Sequence, residues 1–384
     1  MKTLVAVIAL LVGMQAAFAQ NTAEVLMNSD QKLTIGGYAQ IDYNQKFSSD
    51  TRYNGTLDVH RMVLMFGYRF NEKTQFIAEV EYEHVQEVYI EQAFLNYQIN
   101  DWLNFRGGLM LIPMGIINEY HEPTTYNGVE RPNLDSNINP TTWREIGAGF
   151  SGRFQGLNLK YQLYAVNGFN GYNGAGTLKG SNGFRSGRQK GAESFMSSPN
   201  LATKVDYYGV PGLKLGLSGY FGNTQSTLYN GLGKDDALAE ARADSSVVGI
   251  SMVGVDAAYS LKGLVLKGQL YHASVSNTRE YNAFTGKDLG SALFGYYVEA
   301  GYDLLSAKNS EQKLVPFVRF EQYNTHQKTA GIAKNAAYDR TDITAGLGWW
   351  LTSGAVLRAD VQWFGNEATD TKTKQLNLGI GIWF

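Results

Sequence analysis

The last ten residues, Gln375 to Phe384, constrain this chain more than any other stretch. They read QLNLGIGIWF, with Leu376, Leu378, Ile380, Ile382 and Phe384 on alternate positions and Gln375, Asn377, Gly379 and Gly381 between them. Alternate side chains of a strand point to opposite faces, so the segment has one apolar face and one small or polar face. A soluble sheet ending on such a strand exposes a greasy open edge, which invites aggregation. A closed membrane barrel removes the edge: the last strand pairs with the first, and the apolar face meets lipid.

The other end points the same way. Lys2, the apolar run Leu4 to Val12 and the small-x-small triplet Ala17-Phe18-Ala19 have the plan of a secretory signal peptide over residues 1–19. Residues 20–32 are polar and read as a loose periplasmic lead-in; 33–384 reads as a transmembrane β-barrel. No later segment offers 18 uninterrupted apolar residues, so no membrane-spanning helix is expected. There is no cysteine, which excludes disulfides, thiolate metal sites and cysteine nucleophiles. A net charge of −2 argues against nucleic acid as a partner. The 24 Tyr, 19 Phe and 43 Gly, with only 7 Pro, suit many strands flanked by aromatic girdles.

Along the chain, two-residue alternation recurs. Met62, Leu64, Phe66, Tyr68 and Phe70 share one face of a strand, with Arg61 and Arg69 on the other. Next, Phe76, Ala78, Val80 and Tyr82 oppose Glu79, Glu81 and Glu83. Three glutamates facing one way suit a wet lumen; in a dry core unpaired carboxylates are costly. Continuing this reading gives about 16 strands, an even number as bacterial single-chain barrels have. The connections alternate between tight turns, such as 71–73 and 261–263, and long polar links, such as 113–144 and 168–200. That alternation follows if every second loop lies on the same side of a membrane. The expected fold is all-β: a 16-stranded antiparallel transmembrane β-barrel with a long inserted constriction loop.

The link 113–144 carries Glu119, His121, Glu122, Glu130, Arg131 and Arg144 and over half the prolines, which stiffen it. It is expected to fold into the lumen and narrow it. With the wall residues Arg61, Arg69, Glu79, Glu81, Glu83 and Arg106, these are the candidate pore-lining and constriction residues. The link 168–200 is Gly-, Asn- and Ser-rich and reads as a flexible outer loop. The five histidines lie in five separate segments without metal-ligand spacing, so no catalytic, metal or cofactor site is expected. His60, His84 and His272 read as interface residues at strand ends.

Three stretches resemble the phosphate-selective porin O/P family in its Bacteroidetes-type branch: HRMVLMFGYRF, GGLMLIPMGIINEY and WREIGAGFSG. Gly108, Pro113 and Gly115 match the passage that ends strand five in that family, and Arg144, Glu145 and Gly147 the one that opens strand six. The terminal Phe384 resembles the assembly signal of bacterial outer-membrane proteins. The resemblance implies an outer-membrane porin of Gram-negative bacteria, commonly a homotrimer, contacting lipid and lipopolysaccharide and recognised by the barrel-assembly machinery through Phe384. Lumen-facing cations and anions are roughly equal in number, so the sequence favours passive diffusion of small hydrophilic solutes or ions over phosphate selectivity. The alternatives are an anion- or phosphate-selective channel, and a plugged barrel serving structure or adhesion.

Overall fold

The computed structural model describes residues 22–384; the expected signal peptide, residues 1–19, lies outside them. Sixteen strands form one closed antiparallel barrel. They are β1 (Leu33–Phe47), β2 (Thr56–Arg69), β3 (Thr74–Glu83), β4 (Glu87–Asn100), β5 (Leu103–Leu111), β6 (Arg144–Phe154), β7 (Leu159–Val166) and β8 (Asn200–Val210). Then follow β9 (Leu213–Asn223), β10 (Gly249–Leu261), β11 (Leu264–Ser276), β12 (Ala292–Tyr302), β13 (Lys313–Lys328), β14 (Asp339–Thr352), β15 (Ala355–Asn366) and β16 (Thr369–Trp383). Each pairs with its sequence neighbour, and β16 closes the ring on β1, from Tyr38 opposite Trp383 to Phe47 opposite Lys374. Gly37 and Phe384 exchange both backbone hydrogen bonds at 2.9 Å. The terminal residue is thereby part of the seam.

The two-residue period sorts the side chains as the alternation predicts. Ile35, Met62, Phe76, Tyr82, Leu95, Val205, Leu357, Leu378 and Ile380 are exposed on the outer wall. On the opposite face of the same strands, Tyr38, Glu79, Glu81, Lys204, Arg358 and Asn377 are buried in the lumen. Trp102, Phe154 and Tyr161 stack in sequence at the short-turn end, at 5.6 and 5.1 Å between centroids, as part of an aromatic girdle. One break in the period matters later. Between β3 and β4 the register slips, Glu79 facing Gln92 but Val80 facing Ile90, so Glu91 is an extra residue in a β-bulge. Both Glu91 and Gln92 therefore point inward.

Three expectations need correction. Segment 20–32 is not a loose lead-in over its described part. Helix α1 (Thr22–Met27) sits inside the short-turn mouth, with Ala23 and Leu26 buried. Arg69 donates to the carbonyls of Met27 and Ser29 at 3.3 and 2.6 Å, and Gln75 to that of Met27 at 2.8 Å. Glu24 pairs with Lys160 and, at 3.3 Å, with Arg153. Burial alone would raise the Glu24 pKa, but these two cations hold it down, at about 2. Secondly, the loop 168–200 is not a flexible flap. Phe169, Leu178 and Phe184 are buried, Trp143 stacks on Phe169 at 4.6 Å, and Asn170–Tyr172 pairs with Gln225–Ser226 of a neighbouring loop. A run rich in small residues hid three apolar anchors. Thirdly, His60 is not an interface residue; it turns inward and donates or accepts at 2.9 Å with Asp42.

The link after β5 folds into the barrel. Gly115 turns the chain at φ +66°, and a Cβ there would strike the Tyr271 hydroxyl of the far wall. Glycine is thus required both by the left-handed backbone and by the close approach. Gly115→Ala should destabilise the seated loop by about 1–3 kcal/mol, read as a lowered Tm of the refolded protein in detergent, and Tyr271→Phe in the same chain should recover part of it. The chain has no cysteine, which gives a clean test of α1: Leu26→Cys should resist a polar thiol reagent, and adding Glu24→Gln should speed its labelling.

Candidate functional site: a lumen divided by its inserted loop

The loop spanning residues 112–143 crosses the barrel and is tied to the wall on nearly every side. Glu119 accepts from Lys204 of β8 at 2.8 Å and from Gln162 of β7 at 2.6 Å. The backbone N–H of Ile116 donates to Gln269 of β11 at 2.9 Å. Asn127 donates to Glu299 of β12 at 2.8 Å, and the Val129 N–H to Asp360 of β15 at 2.6 Å. The Gly128 carbonyl accepts from Arg358 of β15. The short helix α2 (Leu134–Asn137) presents the Leu134 N–H to Glu321 of β13 at 3.1 Å, while Asn133 donates to Asp342 of β14 at 2.9 Å. Tyr126 and Asn44 close the circle, on Gln40 of β1 and Glu130 of the loop, at 2.9 Å each. A loop inside a polar lumen cannot be held by an apolar core alone, so these wall charges hold it.

Loop and α1 divide the lumen. At the long-loop end lies a chamber of about 550 Å³, bounded by Lys46, Arg61, Arg131, Arg185 and Lys374 among the cations and by Glu83 and Glu130 among the acids. At the short-turn end lies one of about 260 Å³, with Arg69, Lys73, Arg106, Arg153 and Lys160 against Glu24, Glu72 and Asp101. A crevice of about 30 Å³ lies between, lined by Met27, Met110, Glu119 and Tyr164.

Around the loop lies a set of buried ion pairs. Arg61 pairs with Glu81 at 3.2 Å, Arg144 with Glu91 at 3.5 Å and His121 with Glu91 at 3.1 Å. Glu79 lies 3.8 Å from His121 and accepts from Gln92 at 2.7 Å. On the opposite wall Lys204 gathers Glu119, Asp206 and Asp256, within 2.8–3.6 Å. Burial alone would lower the His121 pKa, but the Glu91 carboxylate outweighs it and raises it to about 10. Burial alone would raise the Glu119 pKa, and Lys204 and Lys160 hold it well below the usual carboxylate range. Asp135 of α2 has no cation so close, and burial pushes its carboxyl up to about 7.

The twelve candidate residues thus fall into three places. Arg61, Glu83, Glu130 and Arg131 line the long-loop chamber; Arg69 and Arg106 line the short-turn chamber. Glu79, Glu81, Glu119, His121, Glu122 and Arg144 are buried in the dividing layer. Glu119 and Glu122 border neither of these two chambers, and Glu119 lines the crevice between them. Sequence reasoning missed Glu91, because the bulge breaks the alternation that would have revealed it. It also missed Arg185 at the long-loop chamber, because nothing local says that its loop folds inward.

The chain matches no described protein-family profile. A protein of Aquifex aeolicus, named only as an uncharacterized protein, is 30% identical over 311 residues, covering 77% of this chain and 66% of that protein, just under two thirds of its length. Among solved structures, the outer membrane channel DcaP of Acinetobacter baumannii superposes with a TM-score of 0.62 at 12% identity, over 92% of this chain and 97% of that one. The OmpF of Salmonella typhi, in complex with daunomycin, gives 0.56 at 14% identity over 92% and 97%. The anion-selective porin of Comamonas acidovorans gives 0.55 at 12% over 92% and 99%. At these identities the likeness is one of fold: this chain is built as a 16-stranded porin-type barrel.

Proposed function

We propose that this chain is an outer-membrane porin through which small hydrophilic solutes and ions diffuse passively. The observation that carries the reading is the charged, chambered lumen inside a closed barrel with an apolar outer wall. The long-loop end would face outward and the short turns the periplasm. Export through a cleaved signal, contact with lipid and lipopolysaccharide, assembly through Phe384 and a homotrimeric state belong to the same reading. So does a non-enzymatic role. A trimeric form is described for OmpT of Vibrio cholerae, a barrel of the same build with a TM-score of 0.53. The kinship with the phosphate-selective porin O/P family remains our proposal, on the stretches quoted above.

Charge placement favours anions over cations within this reading. Buried acids are mostly matched by neighbouring cations in the dividing layer. Leaving aside Arg61, which Glu81 neutralises, the long-loop chamber presents four Lys or Arg against two Glu, and the short-turn chamber five against three acids. A chamber with one sign of charge raises the local concentration of the opposite ion. A plugged barrel is the competing reading, since loop and α1 together occupy the middle.

Purified, refolded protein in a planar bilayer with a salt gradient tests both. Channel current with a reversal potential on the anion side is expected; no current from any preparation would sink the porin reading in favour of the plugged barrel. Replacing Lys46, Arg131 and Lys374 together with Gln should move the reversal potential toward zero while leaving conductance present. Removing residues 22–31 while keeping the export signal should raise conductance, because α1 fills the short-turn mouth.

A further inference from the structure

One buried cluster has the spacing of a ligand site. His121 of the loop, Glu79 of β3 and Glu91 of β4 each offer a donor atom, all within 4.8 Å of one another. The Tyr38 hydroxyl of β1 forms a fourth corner. His121 Nε2 lies 3.1 Å from Glu91 Oε2 and 3.8 Å from Glu79 Oε1. Tyr38 Oη lies 3.2 Å from Glu79 Oε1 and 3.4 Å from Glu91 Oε2. Charge-assisted hydrogen bonds to carboxylates run shorter, about 2.7–2.9 Å. Four nitrogen and oxygen donors at about 2.0–2.2 Å from a tetrahedral ion are separated by roughly 3.3–3.6 Å. The four corners match the second spacing better than the first.

Two independent features aim the donors. The β-bulge of β4 turns Glu91 inward beside Gln92, and such bulges re-aim a side chain where a regular strand cannot. Each ligand is also held from behind. The Asn118 carbonyl lies 3.2 Å from His121 Nδ1, which leaves Nε2 as the ligating nitrogen. Gln92 donates to the far oxygen of Glu79 at 2.7 Å, and Arg144 lies 3.5 Å from the far oxygen of Glu91. That last oxygen accepts no hydrogen bond although Glu91 is fully buried. Metal-ligating histidines and carboxylates are supported in this way by an outer shell. One imidazole with two carboxylates suits Zn²⁺, whereas Ca²⁺ and Mg²⁺ ask for oxygen alone.

We propose that Glu79, Glu91 and His121, with Tyr38 or water in the fourth position, bind one first-row divalent metal ion, Zn²⁺ being the best match. The ion joins the loop to β3 and β4 and fixes the divider between the chambers. The site stands whether or not the barrel conducts. It loads as the loop docks during folding, when the donors are still open to solvent.

The test uses the full mature chain, refolded in detergent after chelator treatment and then equilibrated with ZnCl₂. One Zn²⁺ per chain by elemental analysis is expected, with a raised Tm. Calorimetric titration should show binding abolished by His121→Ala and by Glu91→Gln. Gln92→Ala should weaken it about 10–100-fold. His272→Ala, which removes an exposed histidine of the outer wall, should leave it intact. Heat-modifiable migration on gels reports whether each variant keeps its barrel. Should the ligand variants fail to fold, Co²⁺ added to the unaltered protein decides alone, through the strong visible absorption of four-coordinate cobalt. Less than stoichiometric metal, six-coordinate cobalt, or binding that survives both ligand substitutions in folded protein overturns the proposal.

Discussion

The structure depends on the pairing of β16 with β1. In hydrocarbon no water can satisfy a backbone N–H or C=O, so an open sheet edge is not tolerated there and a ring is the only all-strand solution. The exchange of hydrogen bonds between Gly37 and Phe384 belongs to that closing seam. Closure then dictates the rest. Once sixteen strands form a cylinder, every second residue faces a space too wide for wall side chains alone to fill, and that space must be wet or occupied.

Here it is partly occupied, and the manner follows from the wall's chemistry. Lys204, Arg319 and Arg358 are buried in the lumen with Glu79, Glu299, Glu321 and Asp360. Leaving such groups unmatched is expensive: removing one partner of a buried ion pair typically costs about 3–5 kcal/mol. The loop supplies what they lack. Its backbone amides at Val129 and Leu134 reach Asp360 and Glu321, and its Glu119 answers Lys204. Arg319 also pairs with Glu299 and Glu321 within the wall, so loop and wall complete each other's partners. Helix α1 repeats the scheme at the short-turn mouth, Glu24 answering Lys160 and Arg153.

This mutual dependence explains what was legible in the sequence. Strand period, barrel closure and the inward turn of Glu79, Glu81 and Glu83 depend on local alternation, and alternation is written in the sequence. Gly115 was visible as a motif residue, though its reason, the Tyr271 hydroxyl of a distant strand, was not. Glu91 lay hidden because a bulge inserts one residue and shifts the face of its neighbours without any mark in composition. Helix α1 is six residues long, too short for a helical period to show. Its site is set by the Arg69 and Gln75 donors of β2 and β3, far along the chain. The inward fold of residues 168–199 rests on Phe169 meeting Trp143 and Tyr220, with Phe184 stacked behind it, and such meetings are tertiary.

The same distinction bears on the selectivity proposed above. A count of lumen charges treats every group as equal, and by that count this barrel is nearly neutral. Coulomb energy depends on distance, and two opposite charges about 4 Å apart cancel for a solute further away. Glu81 is cancelled by Arg61, Glu91 by Arg144 and His121, and Glu119 by Lys204. What an ion inside the chambers would sense is the remainder, which includes Lys46, Arg131, Arg185 and Lys374. Burying the acids in the divider therefore does two things at once. It anchors the loop, and it leaves the chambers on either side with an excess of positive charge that the total composition conceals.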